Sequence, residues 1–179
     1  MRRRTRAREL ALQFLYSVDV RGADIRDELD TFLRDSGASR LASRFATELV
    51  HGVVKHQAEL DAGIVRVAQH WSLERMPPVD RNILRLASFE LLHCPEIPIG
   101  VALNEAIELG KRYSTAQSGA FVNGILDHVK EARPFEGESE RAPPEHDEEE
   151  EFVPPEPPDE AARVGPPPAG AKATGPSAP

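Results

Sequence analysis

Cysteine and long hydrophobic runs are scarce in this sequence, and each shortage excludes a class of protein. The single cysteine, Cys94, rules out a framework of internal disulfides and is compatible with a reducing cytoplasm. No stretch approaches the roughly 18 uninterrupted apolar residues of a membrane span. The arginines that begin the chain could open a signal peptide, but Arg6, Arg8 and Glu9 interrupt the apolar region that would have to follow. We therefore expect a cytoplasmic protein that does not enter a membrane.

The motifs of familiar enzymes and metalloproteins are also missing. The sequence contains no glycine-rich phosphate loop, and its six histidines form neither an HExxH motif nor a Cys/His ligand set. Cys94, which precedes Pro95 at the end of an apolar segment, is more simply a core residue than a nucleophile. Asn104 and Glu108 are one helical turn apart and are better explained as helix-surface groups than as an acid–base pair. The sequence thus predicts no catalytic site, no metal site and no cofactor.

Charge and proline divide the chain into two parts. Residues 1–133 carry 19 Lys and Arg and 18 Asp and Glu, a net charge of +1. Residues 134–179 carry 3 basic and 12 acidic residues, a net charge of −9, so the acidic segment accounts for the overall −8. Twelve of the 16 prolines also lie in residues 134–179. That segment has too few apolar side chains to offset the entropy of ordering it. We predict one folded domain over residues 1–133 and a disordered, acidic, proline-rich tail over residues 134–179.

Apolar residues recur at helical spacing throughout residues 1–133, which predicts an all-α domain of about seven helices. The first runs from about Arg4 to Val18 and carries one continuous apolar stripe. After a short second helix, a third is predicted to end near Lys55, and a fourth to carry buried residues as far as Trp71. Pro77-Pro78 then marks a boundary, because the residue before a proline avoids helical angles while proline itself suits a first turn.

Three further helices are predicted after this boundary. The fifth is nearly apolar all round, which indicates that it is the buried centre of the domain. Pro95 ends it, and Pro98 starts the sixth. Gly119 and Gly124 interrupt the seventh; each costs about 1 kcal/mol relative to alanine inside a helix, which suggests the close approach of another backbone or a ligand. The whole pattern suits a bundle of two helical subdomains joined near Pro77-Pro78.

The amino terminus is densely basic. Five arginines and no acid stand in the first eight residues: Arg2, Arg3, Arg4, Arg6 and Arg8. A guanidinium is charged at any physiological pH and grips phosphate through a planar fork, so this cluster suits a nucleic-acid backbone. A solubilising, frayed amino terminus is the alternative on composition alone. The spacing favours binding, because Arg4 and Arg8 are one helical turn apart and share a side with Gln13 and Tyr16 rather than with the apolar stripe.

A second candidate surface surrounds the start of the last helix, where Tyr113 and Phe121 flank a polar segment that includes Gln117. Unpaired bases stack on aromatic rings at about 1–3 kcal/mol each, and single-stranded RNA is commonly recognised by stacking combined with amide hydrogen bonds. Phe121 also lies on the apolar stripe with Ile125 and Val129, so core packing is the stronger explanation for it. Tyr113, at a helix end, is the more open candidate.

Four segments in order produce a specific resemblance: RARELALQFLYS at 6–17, LRLASFELL at 84–92, VALNEAIELGKRY at 101–113 and FVNGILD at 121–127. They resemble the NusB family of transcription antitermination factors, over the whole predicted domain and without the tail. The resemblance implies a NusB-like, all-helical fold of two subdomains. It also implies that the protein pairs with NusE, a small ribosomal subunit protein that doubles as a transcription factor. The pair would bind the single-stranded boxA element of nascent ribosomal RNA in the RNA polymerase antitermination complex.

The resemblance also implies which residues make these contacts. The RNA-binding residues of the family fall on Arg3, Arg4, Arg6, Arg8 and Gln13 of the first helix and on Tyr113, Gln117 and Phe121 around the start of the last. Gln117 stands where the family often has an acidic residue, a departure that removes a charge from the contact. For NusE, the resemblance points to Tyr16 and Asp80, with Glu74 as a weaker candidate. Asp80 has a competing local role, because the macrodipole favours a carboxylate in the first turn of a helix.

Three classes of function are compatible with the sequence. The first is a non-enzymatic RNA-binding adaptor. The second is an enzyme, because related helical domains also form the amino-terminal part of ribosomal RNA cytosine methyltransferases; such an enzyme needs a nucleotide-binding domain that residues 134–179 cannot supply. The third is a purely protein-binding helical module whose arginines meet an acidic partner surface. A homodimer is compatible with each of them.

Overall fold

Six α-helices make up most of residues 3–68 and 71–134, the part of the chain that a computed structural model describes. They are α1 (Arg3–Arg21), α2 (Leu29–Asp35), α3 (Arg40–Val67), α4 (Pro78–His93), α5 (Ile99–Tyr113) and α6 (Ser118–Val129). Short 3₁₀ turns cover Ala23–Glu28, Leu73–Arg75 and Lys130–Ala132. These described residues contain no β-strand, which confirms the all-α class, and no helix among them is long and apolar enough to cross a membrane. The predicted tail lies outside the described residues from Phe135 onward, so the division at residue 134 stays a prediction.

The helix count differs from the prediction because α3 is one helix of 28 residues rather than two. A break was expected after Lys55, but the residues that follow it include no proline or glycine before Gly63. The side chain of Ser39 caps the start of α3 by accepting a hydrogen bond from the backbone N–H of Ala42. Trp71 lies beyond the end of α3 and is 51% exposed, so its predicted burial is wrong.

The central position predicted for the fifth helix is confirmed, and α4 occupies it. Ile83, Leu84, Leu86 and Leu91 are each at most 1% exposed, and a fully buried side chain of this kind contributes about 1.5–3 kcal/mol to folding. α4 packs against α1, α3, α5 and α6. The helices before it, α1 to α3, pack together, as do α5 and α6 after it, so two groups of helices meet at α4.

Two glycines allow neighbouring helices to approach closely. A Cβ atom at Gly52 of α3 would lie 2.0 Å from Cζ of Phe89, so the ring of this α4 residue fits only against a glycine. A Cβ atom at Gly110 of α5 would lie 3.3 Å from the backbone nitrogen of Gly119 on α6. The close approach predicted at Gly119 is thus confirmed. A Cβ atom at Gly124 would have nothing within 4 Å, so no described backbone approaches there, and the alternative of a ligand stays a prediction.

Ion pairs hold α1 and α3 against α4. Arg85 of α4 contacts Asp61 of α3 through two hydrogen bonds of 2.7 and 2.8 Å. Asp19 of α1 accepts a hydrogen bond of 3.0 Å from Nε of Arg81 and lies 3.3 Å from Arg85. Partial burial acts to raise the pKa of Asp19, but the hydrogen bonds and charges of these two arginines outweigh it and hold that pKa below 3.8. The three helices therefore meet in a network of matched charges.

Candidate nucleic-acid interface

Three of the predicted RNA-binding arginines lie in the first two turns of α1. Arg3, Arg4 and Arg6 are half-buried, and the first turn contains no acidic residue. Positive charge at a helix N-terminus opposes the macrodipole by about 0.3–1 kcal/mol per charge. Backbone N–H groups at the start of a helix and guanidinium groups both attract an anion. Anion binding therefore explains this arrangement better than local helix stability does.

The described contacts orient two of these side chains. The guanidinium carbon of Arg4 lies 5.4 Å from the ring centroid of Phe45 on α3, within the range of a cation–π contact. The Nη1 atom of Arg6 lies 3.2 Å from the carboxylate of Glu9, and the Arg6 side chain is 37% exposed. Both positive charges are therefore held in place near the surface.

Arg8 does not lie on this surface. Its side chain is 2% exposed and forms a forked ion pair with Glu90 of α4, with Nε–Oε1 and Nη2–Oε2 distances of 2.9 and 2.7 Å. Burial raises the pKa of Glu90, and the guanidinium of Arg8 opposes that effect. The predicted contact between Arg8 and RNA does not fit this position, because a phosphate could reach the guanidinium only if the buried pair opened. The sequence analysis grouped Arg8 with Gln13 and Tyr16 rather than with the apolar stripe, but Arg8 is buried as the stripe is.

Glu9 connects the start of α1 to the end of α5. It is 1% exposed and forms ion pairs with Arg6 and with Arg112 of α5. The guanidinium carbon of Arg112 lies 5.5 Å from the ring centroid of Tyr113. Burial and the charge of Glu9 raise the pKa of Tyr113, so its hydroxyl stays a hydrogen-bond donor at neutral pH. The structure thus brings Arg6 and Tyr113, both predicted to bind RNA, onto one surface.

Sequence reasoning missed Arg112 as part of this surface. Its side chain is 59% exposed, and it supplies the positive charge between Glu9 and Tyr113. The available signal was the basic pair Lys111-Arg112 directly before Tyr113. Nothing in the spacing showed that the end of α5 meets the start of α1.

A groove of about 300 Å³ joins the predicted RNA residues to a predicted partner residue. Its lining is Leu12, Gln13, Tyr16, Ser17, Val79 and Tyr113. Gln13 and Tyr113 were predicted to bind RNA, and Tyr16, which is 40% exposed, was predicted to bind NusE. An RNA surface and a protein surface built on these residues would be contiguous.

The start of α6 presents the remaining RNA candidates. Gln117 directly precedes the helix and is exposed. Phe121 is half-buried against the core, as the apolar spacing indicated, and its ring meets Trp71 edge to face with centroids 5.6 Å apart. Trp71, which the sequence analysis did not include among site residues, adds an exposed ring beside Phe121.

The two acidic candidates for partner binding differ in exposure. Glu74 is exposed in the turn Leu73–Arg75. Asp80 is 4% exposed, and its Oδ2 atom accepts a 3.0 Å hydrogen bond from the hydroxyl of Ser118 on α6. Its Oδ1 atom has no hydrogen-bond partner among the described residues. A direct contact between Asp80 and a partner protein does not fit this burial; Asp80 instead joins the starts of α4 and α6.

The fold and this surface define a class of protein: an all-α bundle with a candidate nucleic-acid-binding face at the start of its first helix. Residues 5–131 match the NusB family. The chain belongs to that family.

Relatives and solved structures agree with this assignment. The transcription antitermination protein NusB of Anaeromyxobacter dehalogenans is 49% identical over 140 residues, which are 78% of this chain and 98% of the relative. The NusB protein of Desulfatibacillum aliphaticivorans is 46% identical over 129 residues, 72% of this chain and 90% of the relative. The structure of T. maritima NusB superposes with a TM-score of 0.66 at 37% identity, covering 73% of this chain and 92% of that one. A structure of antitermination factors NusB and NusE in complex with dsRNA superposes with a TM-score of 0.66 at 32% identity. The match covers 74% of this chain and 98% of that one.

Proposed function

We propose that this chain is a cytoplasmic transcription antitermination factor that binds the boxA element of nascent ribosomal RNA together with NusE, within the RNA polymerase antitermination complex. The observation that carries the proposal is the chain of contacts that runs from Arg6 through Glu9 and Arg112 to Tyr113, with Arg4 in the same first turns of α1. Membership of the NusB family and the similarity to a NusB protein solved with NusE and dsRNA support it. The protein acts as an adaptor, without a catalytic site or a cofactor of its own.

The first turns of α1 hold the phosphate backbone of the RNA. Arg4 and Arg6 neutralise phosphates directly, with Arg3 beside them. Each phosphate contact with a single strand contributes about −0.7 to the slope of log affinity against log salt. Arg8 acts as a positioning residue, because its buried pair with Glu90 holds α1 on α4.

Aromatic and amide groups at the ends of α5 and α6 contact the bases. Tyr113 and the ring pair of Phe121 and Trp71 offer stacking surfaces, and stacking is worth about 1–3 kcal/mol per base. The amide of Gln117 donates and accepts hydrogen bonds, which suits base edges in a single strand. Because the Gln117 amide is neutral, it does not repel nearby phosphates as the carboxylate often found at this position in the family would.

NusE binds beside the RNA, on the groove that contains Tyr16. The apolar side chains of Leu12 and Val79 line this groove together with Gln13, which suits insertion of an apolar side chain of the partner with a polar group at its rim. Glu74 lies in the exposed turn just before α4 and supplies a charged contact at the edge. Asp80 is buried and does not contact the partner; its hydrogen bond with Ser118 holds the start of α4 against α6.

Binding of labelled single-stranded RNA tests the proposal. Fluorescence anisotropy would be measured with boxA RNA and with a scrambled RNA of the same composition, each with and without purified NusE. We expect the boxA strand to bind more tightly than the scrambled strand, and NusE to strengthen the binding of boxA further. Equal affinity for both strands in the presence of NusE contradicts RNA recognition. Binding of NusE without any binding of RNA would favour the purely protein-binding module.

A further inference from the structure

A cluster of metal-ligating side chains lies between α3 and the end of α4. His56 and Glu59 are three residues apart on α3 and share one face of that helix, while His93 belongs to the last turn of α4. The Nδ1 atom of His56 is 3.1 Å from Oε2 of Glu59, and the Nε2 atom of His93 is 3.4 Å from Oε1 of the same carboxylate. The proposed RNA and NusE contacts use none of these groups.

The spacing of these atoms suits a tetrahedral metal ion. One ligand atom from each residue lies within 4.8 Å of those from the other two. Zinc binds imidazole nitrogen and carboxylate oxygen at about 2.0–2.2 Å, which places tetrahedral ligand atoms about 3.3 Å apart. The two nitrogen–oxygen distances of 3.1 and 3.4 Å are close to this value but end on different oxygens of Glu59, so side-chain rotations would bring one oxygen and the two nitrogens onto a single ion.

Packing holds the two imidazole rings in place. The ring of Phe89 stacks on His93 with centroids 5.4 Å apart and an interplanar angle of 21°, and Phe89 reaches this position because Gly52 has no side chain. The rings of His56 and His93 are 4.0 Å apart. The Nε2 atom of His93 is buried and has no hydrogen-bond partner among the described residues. A nitrogen in this state is available to a metal.

We propose that His56, Glu59 and His93 form a three-ligand site for zinc, with the fourth position open to water. Imidazole nitrogen suits zinc, copper, iron and nickel, and two histidines with one glutamate form a known three-ligand zinc set whose fourth position is open. The Glu59 side chain is 58% exposed, which provides a path for the ion to enter. The bound ion connects the middle of α3 to the last turn of α4 and stabilises the fold. The spacing of residues in the sequence could not predict this site, because His93 is far along the chain from the other two ligands.

Zinc titration of the full-length, chelator-treated protein tests the site. Calorimetry is expected to show one site with a dissociation constant in the micromolar range or tighter. Free zinc at a hundred times that constant is expected to raise the melting temperature by about 5–10 °C, because the ion binds only the folded state. The cobalt-loaded protein is expected to show visible absorption bands of a tetrahedral ion.

Two sets of variants control the measurement. His56→Ala with His93→Ala is expected to weaken zinc binding by about a hundredfold or more, since changes even to groups behind the ligands cost 10- to 100-fold. Glu59→Gln, at an exposed side chain, tests the site if that double variant fails to fold. His128→Ala with His146→Ala is the matched control, because His128 pairs with Glu131 at the same spacing on α6 and the adjoining turn but belongs to no three-ligand group among the described residues. Absence of one-site binding by the parent, or equal binding by the Glu59→Gln and parent proteins, overturns the proposal.

Discussion

Arg8 of α1 and Glu90 of α4 form a forked ion pair in which each side chain is 2% exposed. The pair joins the helix that carries the proposed phosphate contacts to the central helix of the bundle. Because Arg4 is one helical turn before Arg8, the buried pair determines where the guanidinium of Arg4 reaches the surface. The amino terminus thus contains a buried structural arginine, Arg8, beside the half-buried Arg4 and Arg6 that we propose contact RNA.

Replacing Arg8 should destabilise the fold far more than replacing Arg4. Arg8→Ala leaves the buried charge of Glu90 without its partner, and we expect a loss of about 3–5 kcal/mol in the free energy of unfolding. Arg4→Ala removes a cation–π contact with Phe45 and should cost about 0.5–1 kcal/mol. Urea unfolding followed by circular dichroism measures both. The combination of Arg8→Met with Glu90→Leu should restore most of the stability, and equal losses for Arg8→Ala and Arg4→Ala would contradict the distinction.

The salt dependence of RNA binding should show whether Arg4 and Arg6 contact phosphates. Arg4→Ala with Arg6→Ala removes two phosphate contacts and should flatten the slope of log affinity against log salt by roughly 1.4. Glu9 keeps its pair with Arg112 in this variant, so the fold should persist. Arg34→Ala, at an exposed position in the last turn of α2, is the matched control and should leave the slope unchanged. An unaltered slope in the double variant would show that these side chains do not contact the phosphates of the RNA.

Alanine at Gly52 should be less favourable than alanine at Gly124. Both positions lie inside helices, so the gain of about 1 kcal/mol in helix propensity is common to the two variants. At Gly52 the new Cβ would clash with the ring of Phe89, whereas at Gly124 nothing lies within 4 Å. We expect Gly52→Ala to be less stable than Gly124→Ala by about 1–3 kcal/mol. Thermal unfolding of the two variants decides this, and similar melting temperatures would show that Phe89 has room to move.

The ion pairs of Asp19 should stabilise the fold fully above about pH 4 and progressively less below it. The pKa of Asp19 is lower in the folded protein than its ordinary value of 3.8, so the unfolded chain takes up the proton first as the pH falls. The stabilisation is therefore complete above the unfolded pKa and is lost as the pH falls through the lower, folded pKa. Asp19→Asn should be less stable than the parent at pH 7, and the difference should shrink below about pH 4. Urea unfolding at several pH values measures it; a difference independent of pH would be the contrary result.

Cys94 should react slowly with thiol reagents while the protein is folded. Burial and the nearby charges of Glu96 and Glu90 raise the pKa of this thiol to about 12, and the side chain is 8% exposed. The thiolate is the reactive form, so very little of it is present at pH 7.5. Labelling with a chromogenic disulfide reagent should be slow in buffer and fast in denaturant. Rapid labelling of the folded protein at pH 7.5 would contradict this assignment.

Local patterns were sufficient where one property dominated a segment. The apolar sequence around Leu84 placed α4 at the centre, and Pro77-Pro78 placed its start, because a residue before proline avoids helical angles. The pattern failed after Lys55, where a predicted turn had no breaking residue and one long helix formed. Trp71 was misplaced for a different reason, since its burial was inferred from a helix that ends four residues earlier, at Val67.

The sequence by itself determined the all-α class, the family and the basic character of the amino terminus, because helical periodicity, ordered motifs and charge are properties of consecutive residues. Only the tertiary structure decided which arginines face solvent, since Arg8 is buried by a carboxylate 82 positions away along the chain. It also decided that Arg112 joins the surface of Arg6, and that His93 meets His56. The physical reason is the same in each case: the free energy of a charge or a ligand depends on the groups that surround it in space, and packing brings those groups together from distant parts of the chain.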